Sequence, residues 1–180
     1  MYITLPELAE RPGADELSQV ATPQQYRVVQ TELLDALLRG LPVDQWTPEE
    51  IEVGNAAVEV IDSAVSDAQS FIDGFLQQRG YLPLQQRFGI VVGWHRAITR
   101  YLLHKDRLGE GAEKDPIVRD YRDALKFLQL TAEGKFSLGQ DGPGGQLHQR
   151  GSPGGDSGPN FQPRSVEGLL TCPALHSITT

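Results

Sequence analysis

A chain of 180 residues with 39% hydrophobic content can bury one sizeable core, and its net charge of −8 argues against a dedicated nucleic-acid binder, which would cluster Lys and Arg to neutralise phosphates. The single cysteine, Cys172, excludes an intrachain disulfide and a cysteine-rich metal site, and it fits a protein of intracellular origin. No basic region precedes an apolar run at the N-terminus and no stretch approaches ~18 consecutive apolar residues, so the expectation is a soluble chain without export signal or membrane span.

In chain order, the helices are marked by their caps. Thr4-Leu5-Pro6-Glu7 sets a capping threonine three residues before a glutamate, and Pro12-Gly13 breaks the short helix this predicts. Residues 14–20 supply another turn or two. Thr22-Pro23 restarts a helix that the spacing of Tyr26, Val29, Leu33, Leu34, Leu37 and Leu38 carries to Arg39, where Gly40 and Pro42 stop it.

Thr47-Pro48-Glu49-Glu50 combines an N-cap, proline at the first helical position and an acidic first turn, the strongest helix start in the chain. Ile51, Val58, Val65 and Ile72 recur every seven residues; Gly54, Ile61, Ala68 and Phe75 interleave with them, and Ala57, Ala64 and Phe71 widen the stripe. A helix over 48–79 would be ~48 Å long at ~1.5 Å per residue, the spine of a domain this small. Its small residues Gly54, Ala57, Ala64 and Ala68 permit close approach of another helix, and Gly80 suits the position just past its end.

The next helix is expected over Phe88–Asp106, with Val91, Trp94, Ile98, Tyr101 and Leu102 inward. Asp115-Pro116 caps the last, whose stripe is Ile117, Tyr121, Ala124, Leu125, Leu128 and Ala132, and which ends at Gly134. The fold class is all-α, a small helical bundle organised around one long helix. The helical domain takes residues 1–137. Residues 138–160 are dominated by glycine and proline and form a linker with an r.m.s. reach of ~26 Å as a Gly-rich coil. Residues 161–180 regain apolar character at Phe161, Val166, Leu169, Leu170, Leu175 and Ile178 and read as a terminal docking peptide.

Charge changes sign along the chain. Glu49, Glu50, Glu52, Glu59, Asp62, Asp67 and Asp73 fall between Thr47 and Gln78 with no Lys or Arg, whereas Arg79, Arg87, Arg96, Arg100, Lys105 and Arg107 follow with one acid, Asp106. On charge alone these are two solvated faces of a hairpin attracting each other at ~0–1 kcal/mol per exposed pair. The alternative is head-to-tail packing, the acidic face of one subunit against the basic face of the next.

Catalytic chemistry finds no home. Gly155-Asp156-Ser157-Gly158-Pro159 imitates a serine-protease nucleophile loop but lies in the glycine-rich linker, without a rigid oxyanion hole or an oriented base. His95 and His104, nine residues apart, point to nearly opposite faces of one helix and cannot share a metal. Glu59, Asp62 and Asp73 near one face of the spine read as a solvated acidic surface, and neither a phosphate loop nor a dinucleotide fingerprint occurs, so no cofactor and no metal are expected. Trp94, Tyr101, Tyr121 and Phe127 sit at core spacing, whereas Trp46 and Tyr81 fall in expected loops and are interface candidates.

The run Phe71-Ile72-Asp73-Gly74-Phe75-Leu76, followed by Arg79-Gly80-Tyr81-Leu82-Pro83-Leu84, then Arg100-Tyr101-Leu102-Leu103 and Tyr121-Arg122-Asp123-Ala124-Leu125, resembles the Mu-like phage family of small head-tail adaptor proteins. The opening Met1-Tyr2-Ile3-Thr4 and the closing Gly134 extend the likeness over most of 1–137. Two features depart from the family pattern: the helix from about Gln24 to Arg39 resembles an insertion, and Gly80 separates a usual Arg-Tyr pair. The resemblance implies a non-enzymatic connector forming a homo-oligomeric ring of about twelve subunits. Such a ring lies between the portal and a stopper or tail-side neck protein, in the virion neck, after assembly in the host cytoplasm. It favours the head-to-tail reading of the charges. By that analogy Trp46, Arg79, Tyr81, Arg96, Arg100 and the apolar residues of 161–180 are candidates for subunit or portal contacts. Glu52, Glu59, Asp62, Asp67 and Asp73 are candidates for an acidic channel surface past which DNA slides without sequence-specific binding. No membrane partner is implied. The alternative is an acidic helical DNA mimic or regulatory binding protein encoded by a phage or bacterium.

Overall fold

A computed structural model of the chain describes residues 1–109 and 111–139. Its α-helices are α1 (Leu5–Leu8), α2 (Ala14–Ala21), α3 (Thr31–Arg39), α4 (Pro48–Gln78), α5 (Gly89–His104) and α6 (Pro116–Ala132), and no strand occurs among the described residues. The fold is all-α. The terminal peptide Phe161, Val166, Leu169, Leu170, Leu175 and Ile178, and all but the first two residues of the linker, lie outside the described residues.

Short helices dominate the N-terminal segment because its caps and breakers are closely spaced. Glu7 Oε2 accepts from the Thr4 amide and hydroxyl, both at 2.9 Å, and closes the first turn of α1. Arg11, just before Pro12, leaves helical geometry (φ −152°, ψ 113°) and separates α1 from α2. One expectation fails here: the helix predicted from Pro23 begins only at Thr31. Thr22 is extended and its hydroxyl accepts from the Val29 amide at 3.2 Å. A turn closes from Tyr26 N–H to the Pro23 carbonyl. This side-chain alternative to helical bonding buries Val29 from an extended strap instead of a helix face.

Helix α4 follows its sequence closely. Thr47 Oγ1 accepts from the Glu50 amide at 3.3 Å while Glu50 Oε2 accepts from the Thr47 amide at 2.9 Å. At the far end Gly80 (φ +73°) donates to the Gln77 carbonyl and Tyr81 to the Leu76 carbonyl, a double-bonded glycine cap. Gly54, Ala57, Ile61, Ala64, Val65, Ala68, Ile72 and Leu76 form its buried face.

Two apolar clusters share that face. The N-terminal half of α4 packs with α1–α3 and with Val92 and Leu103 of α5; the C-terminal half packs with Val91, Trp94 and Ile98 of α5 and Ala124 and Leu128 of α6. Helix α5 thus buries two adjacent faces and exposes one. Each fully buried Leu or Ile contributes ~1.5–3 kcal/mol, against ~0–1 for a surface ion pair, so apolar packing holds this bundle. In α6 the buried residues are Val118, Ala124, Leu128 and Thr131, a stripe rotated from the predicted one. Phe127, expected in the core, is 39% exposed.

Candidate functional site

The acidic residues of α4 do not pair with the basic residues of α5. Arg100 instead makes a double hydrogen bond to Glu16 of α2, at 2.5 and 2.6 Å, which raises the guanidinium pKa, and Arg87 reaches Glu7 at 2.5 Å and the Tyr2 carbonyl at 3.2 Å. Arg87, with the Thr4 amide, holds the Glu7 carboxyl down to about 2. The reading of a self-complementary hairpin is therefore corrected: Arg87 and Arg100 are engaged by the N-terminal helices, a pairing that charge order along the chain does not reveal. Among the described residues, no α4 carboxylate joins an ion pair.

The outer surface of α4 divides into two rows. At ~100° per residue, Glu52, Glu59 and Asp62 lie along one, and Val60, Asp67 and Phe71 along another about a third of a turn away. All six are exposed, Val60 and Phe71 by 39% and 38%. Asp73 leaves the predicted acidic set. It accepts a hydrogen bond from Tyr2, whose hydroxyl pKa is pushed up by burial first and by Asp73 second.

Opposite α4, the outer face of α5 forms the floor of a groove of about 610 Å³. Helix α6 makes one wall through Ile117, Asp120, Asp123 and Phe127; Arg11, Pro12 and Glu16 make the other. Gly93 and Ala97 keep the floor low, and a Cβ added at Gly93 would meet nothing within 4 Å. Arg96 lines the groove with its Nε buried and without a hydrogen-bond partner. Ile90 and Phe127, each 39% exposed, add apolar surface.

The interface candidates separate. Arg96 lies in the groove, whereas Arg100 lines it already committed to Glu16. Trp46 is half-buried on the first cluster, its Nε1 donating to Gln30 Oε1 at 3.4 Å. Arg79 lies across Gly134 at the end of α6, where an added Cβ would stand 2.9 Å from the guanidinium carbon. Tyr81 is not an exposed anchor: it is 7% exposed in the second cluster. The glycine cap explains this, because the residue after the left-handed glycine is turned back onto the last helical turn. The groove itself, with Ile90, Gly93 and Phe127, has no counterpart among the sequence expectations. A glycine and an alanine four residues apart beside Arg96 were its available signal.

The buried polar groups belong to the bundle interior. His95 is fully buried, with Nε2 2.8 Å from the Val65 carbonyl, Nδ1 unpartnered and Tyr2 edge-on at 5.8 Å; burial lowers its pKa. His104 lies on another face, its Nδ1 2.8 Å from the Arg100 carbonyl. Among the described residues no group of three His, Cys, Asp or Glu converges as for a metal ion, and no helix is long and apolar enough to cross a membrane.

The family model described as Bacteriophage Mu, Gp36 matches residues 2–154, past the helical body and into the glycine-rich segment. The Mu-like prophage FluMu protein gp36 of Haemophilus influenzae is 34% identical over 94 residues, 52% of this chain and 61% of that relative. The alignment thus spans less than two thirds of the relative's length. No solved structure matches the chain.

Proposed function

Because the chain belongs to the Bacteriophage Mu, Gp36 family, a phage protein family, we propose that it is a structural head-tail connector of a tailed phage. In this reading it assembles as a homo-oligomeric ring of about twelve copies below the portal, joins capsid to tail and acts by assembly, not catalysis. A stopper or tail-side neck protein meets its other side, and residues 161–180 serve as an arm onto the portal or a neighbouring copy.

One observation carries the proposal: a charge of −7, nearly the whole net charge of −8, resides on α4, which holds seven carboxylates, no cation and, among the described residues, no ion pair. In a ring, the Glu52–Glu59–Asp62 row toward the channel would repel the DNA backbone and let it slide. The interaction is weak per charge, ~1 kcal/mol at 4 Å in water, but it repeats around the ring.

The test is imaging of purified particles at the portal-proximal neck, with and without residues 138–180. Ring density assignable to this chain is expected. Absence from particles, together with salt-dependent binding of a basic protein by the monomer, would replace the connector by the DNA-mimic reading.

A further inference from the structure

We propose that the groove over α5 of one copy receives the Val60–Asp67–Phe71 row of α4 from a second copy of this chain, with Asp67 meeting Arg96. The inference rests on the ring reading and supplies its subunit contact.

Three observations converge on it. Helices α4 and α5 pack inner face to inner face, so the groove on the outer side of α5 and the rows on the outer side of α4 occupy different sides of one protomer. Both can be engaged at once, as a head-to-tail contact that closes into a ring requires. Second, the exposed large apolar residues of the described chain are Met1, Val28, Leu41, Val60, Phe71, Ile90 and Phe127, and the last four fall on these two surfaces, two on each. Third, each surface holds one centrally placed charge without an intrachain ion pair, of opposite sign: Asp67 has no intrachain cation among the described residues, and Arg96 has a buried Nε without an acceptor.

The dimensions agree. Val60 and Phe71 are eleven residues apart, ~16 Å along a helix, and the groove floor from Ile90 to Arg100 runs ~15 Å. Gly93 and Ala97 leave room for a helix to approach, and Ile90 and Phe127 flank the seam that Val60 and Phe71 would fill. The carboxylates of the α6 wall, Asp120 and Asp123, oppose a purely electrostatic contact. They confine the attraction to Arg96 and to Arg11 on the far wall, and so favour the row with one central acid over the Glu52–Glu59–Asp62 row.

The full chain tests this by sedimentation velocity over a concentration series. A Cβ at Gly93 meets nothing within 4 Å and the side chain of Gly93→Leu projects into the groove, so its circular dichroism and melting temperature should match or exceed wild type while self-association weakens at least tenfold. Arg96→Glu and Asp67→Lys should each weaken it similarly, and together restore it to within about threefold. In an Asp67→Cys/Gly93→Cys/Cys172→Ser chain, oxidation should give a ladder of covalent multimers. A protein that oligomerises but shows no ladder and is indifferent to all three substitutions overturns this contact while the ring reading stands. A protein that stays monomeric at every concentration and is absent from particles overturns both.

Discussion

Gly54 tests the approach of α3 to α4. It lies on the buried face of α4, and a Cβ built there would stand 2.5 Å from Leu37 Cδ1 and 3.4 Å from Leu33. Carbon atoms rest at about 3.5–4.0 Å, so Gly54→Ala forces α3 or the Leu37 side chain to retreat by about 1 Å. Overpacking of this kind costs ~1–3 kcal/mol, while replacing a mid-helix glycine with alanine returns ~0.5–1 kcal/mol. Leu37 is only half-buried and can swing outward, which sets the cost toward the lower end. The net expectation is ~0–2 kcal/mol of destabilisation. Gly74 on the same helix has nothing within 4 Å, so Gly74→Ala should stabilise by ~0.5–1 kcal/mol. Thermal and urea unfolding by far-ultraviolet circular dichroism should separate the two variants by ~0.5–3 kcal/mol, about 4 °C in Tm per kcal/mol for a domain of this size. A Gly54→Ala/Leu37→Ala double variant should recover ~1 kcal/mol of the difference by coupling. Equal stabilisation by both alanines, or no coupling to Leu37, would refute the close α3–α4 packing.

Tyr81→Ala should cost the isolated protein ~3 kcal/mol, since the ring is buried; an unfolding curve unchanged from wild type would return Tyr81 to the surface. In the Arg100–Glu16 pair the partners are partly buried, and a double-mutant cycle by urea denaturation should give ~1 kcal/mol of coupling, with zero coupling refuting a structural role. His95 is buried with a lowered pKa, so it imposes no cost above the unfolded value of ~6.5; below it the unfolded chain takes up a proton the folded ring resists. Stability should therefore fall on acidification with a slope of up to ~1.4 kcal/mol per pH unit, and His95→Gln should flatten that limb of the stability–pH curve. Glu7, ionised down to about 2 when folded, acts in a separate window below its unfolded value of ~4.3, weakly because it lies at the surface.

What the sequence disclosed and what it hid divide along a physical line. The α4 capping box, its heptad rows and the Asp115-Pro116 start of α6 involve residues within one or two turns, and their helices form where those local rules place them. The segment from Thr22 to Gln30 misled because its apolar spacing fits a helix while Thr22 bonds seven residues ahead to Val29, a choice made by tertiary burial. Tyr81 misled for the opposite reason: a loop position one residue after a helix-ending glycine was read as exposed, although the cap geometry directs it inward. Of the groove only the floor is legible locally, through Gly93 and Ala97 beside Arg96, since its walls come from residues near 11–16 and 117–127.

The acidic face poses a last question, whether its charge is structural. Glu49 and Glu50 sit in the first turn of α4, where the helix dipole favours them, but Glu52, Glu59, Asp62 and Asp67 lie beyond its reach. Glu49–Glu52 and Glu59–Asp62 are like-charge neighbours three residues apart, each costing ~0.2–0.5 kcal/mol. Asp73, near the unfavourable end of the dipole, is held by the Tyr2 hydroxyl. These costs are small beside the burial of Ile61, Ile72 and Leu76, each worth ~1.5–3 kcal/mol, so the fold tolerates the face without needing it. Neutralising Glu52, Glu59 and Asp62 should consequently leave stability unchanged or slightly raised. A loss of DNA passage or particle infectivity in those variants then reports on what the surface meets, not on whether the bundle folds.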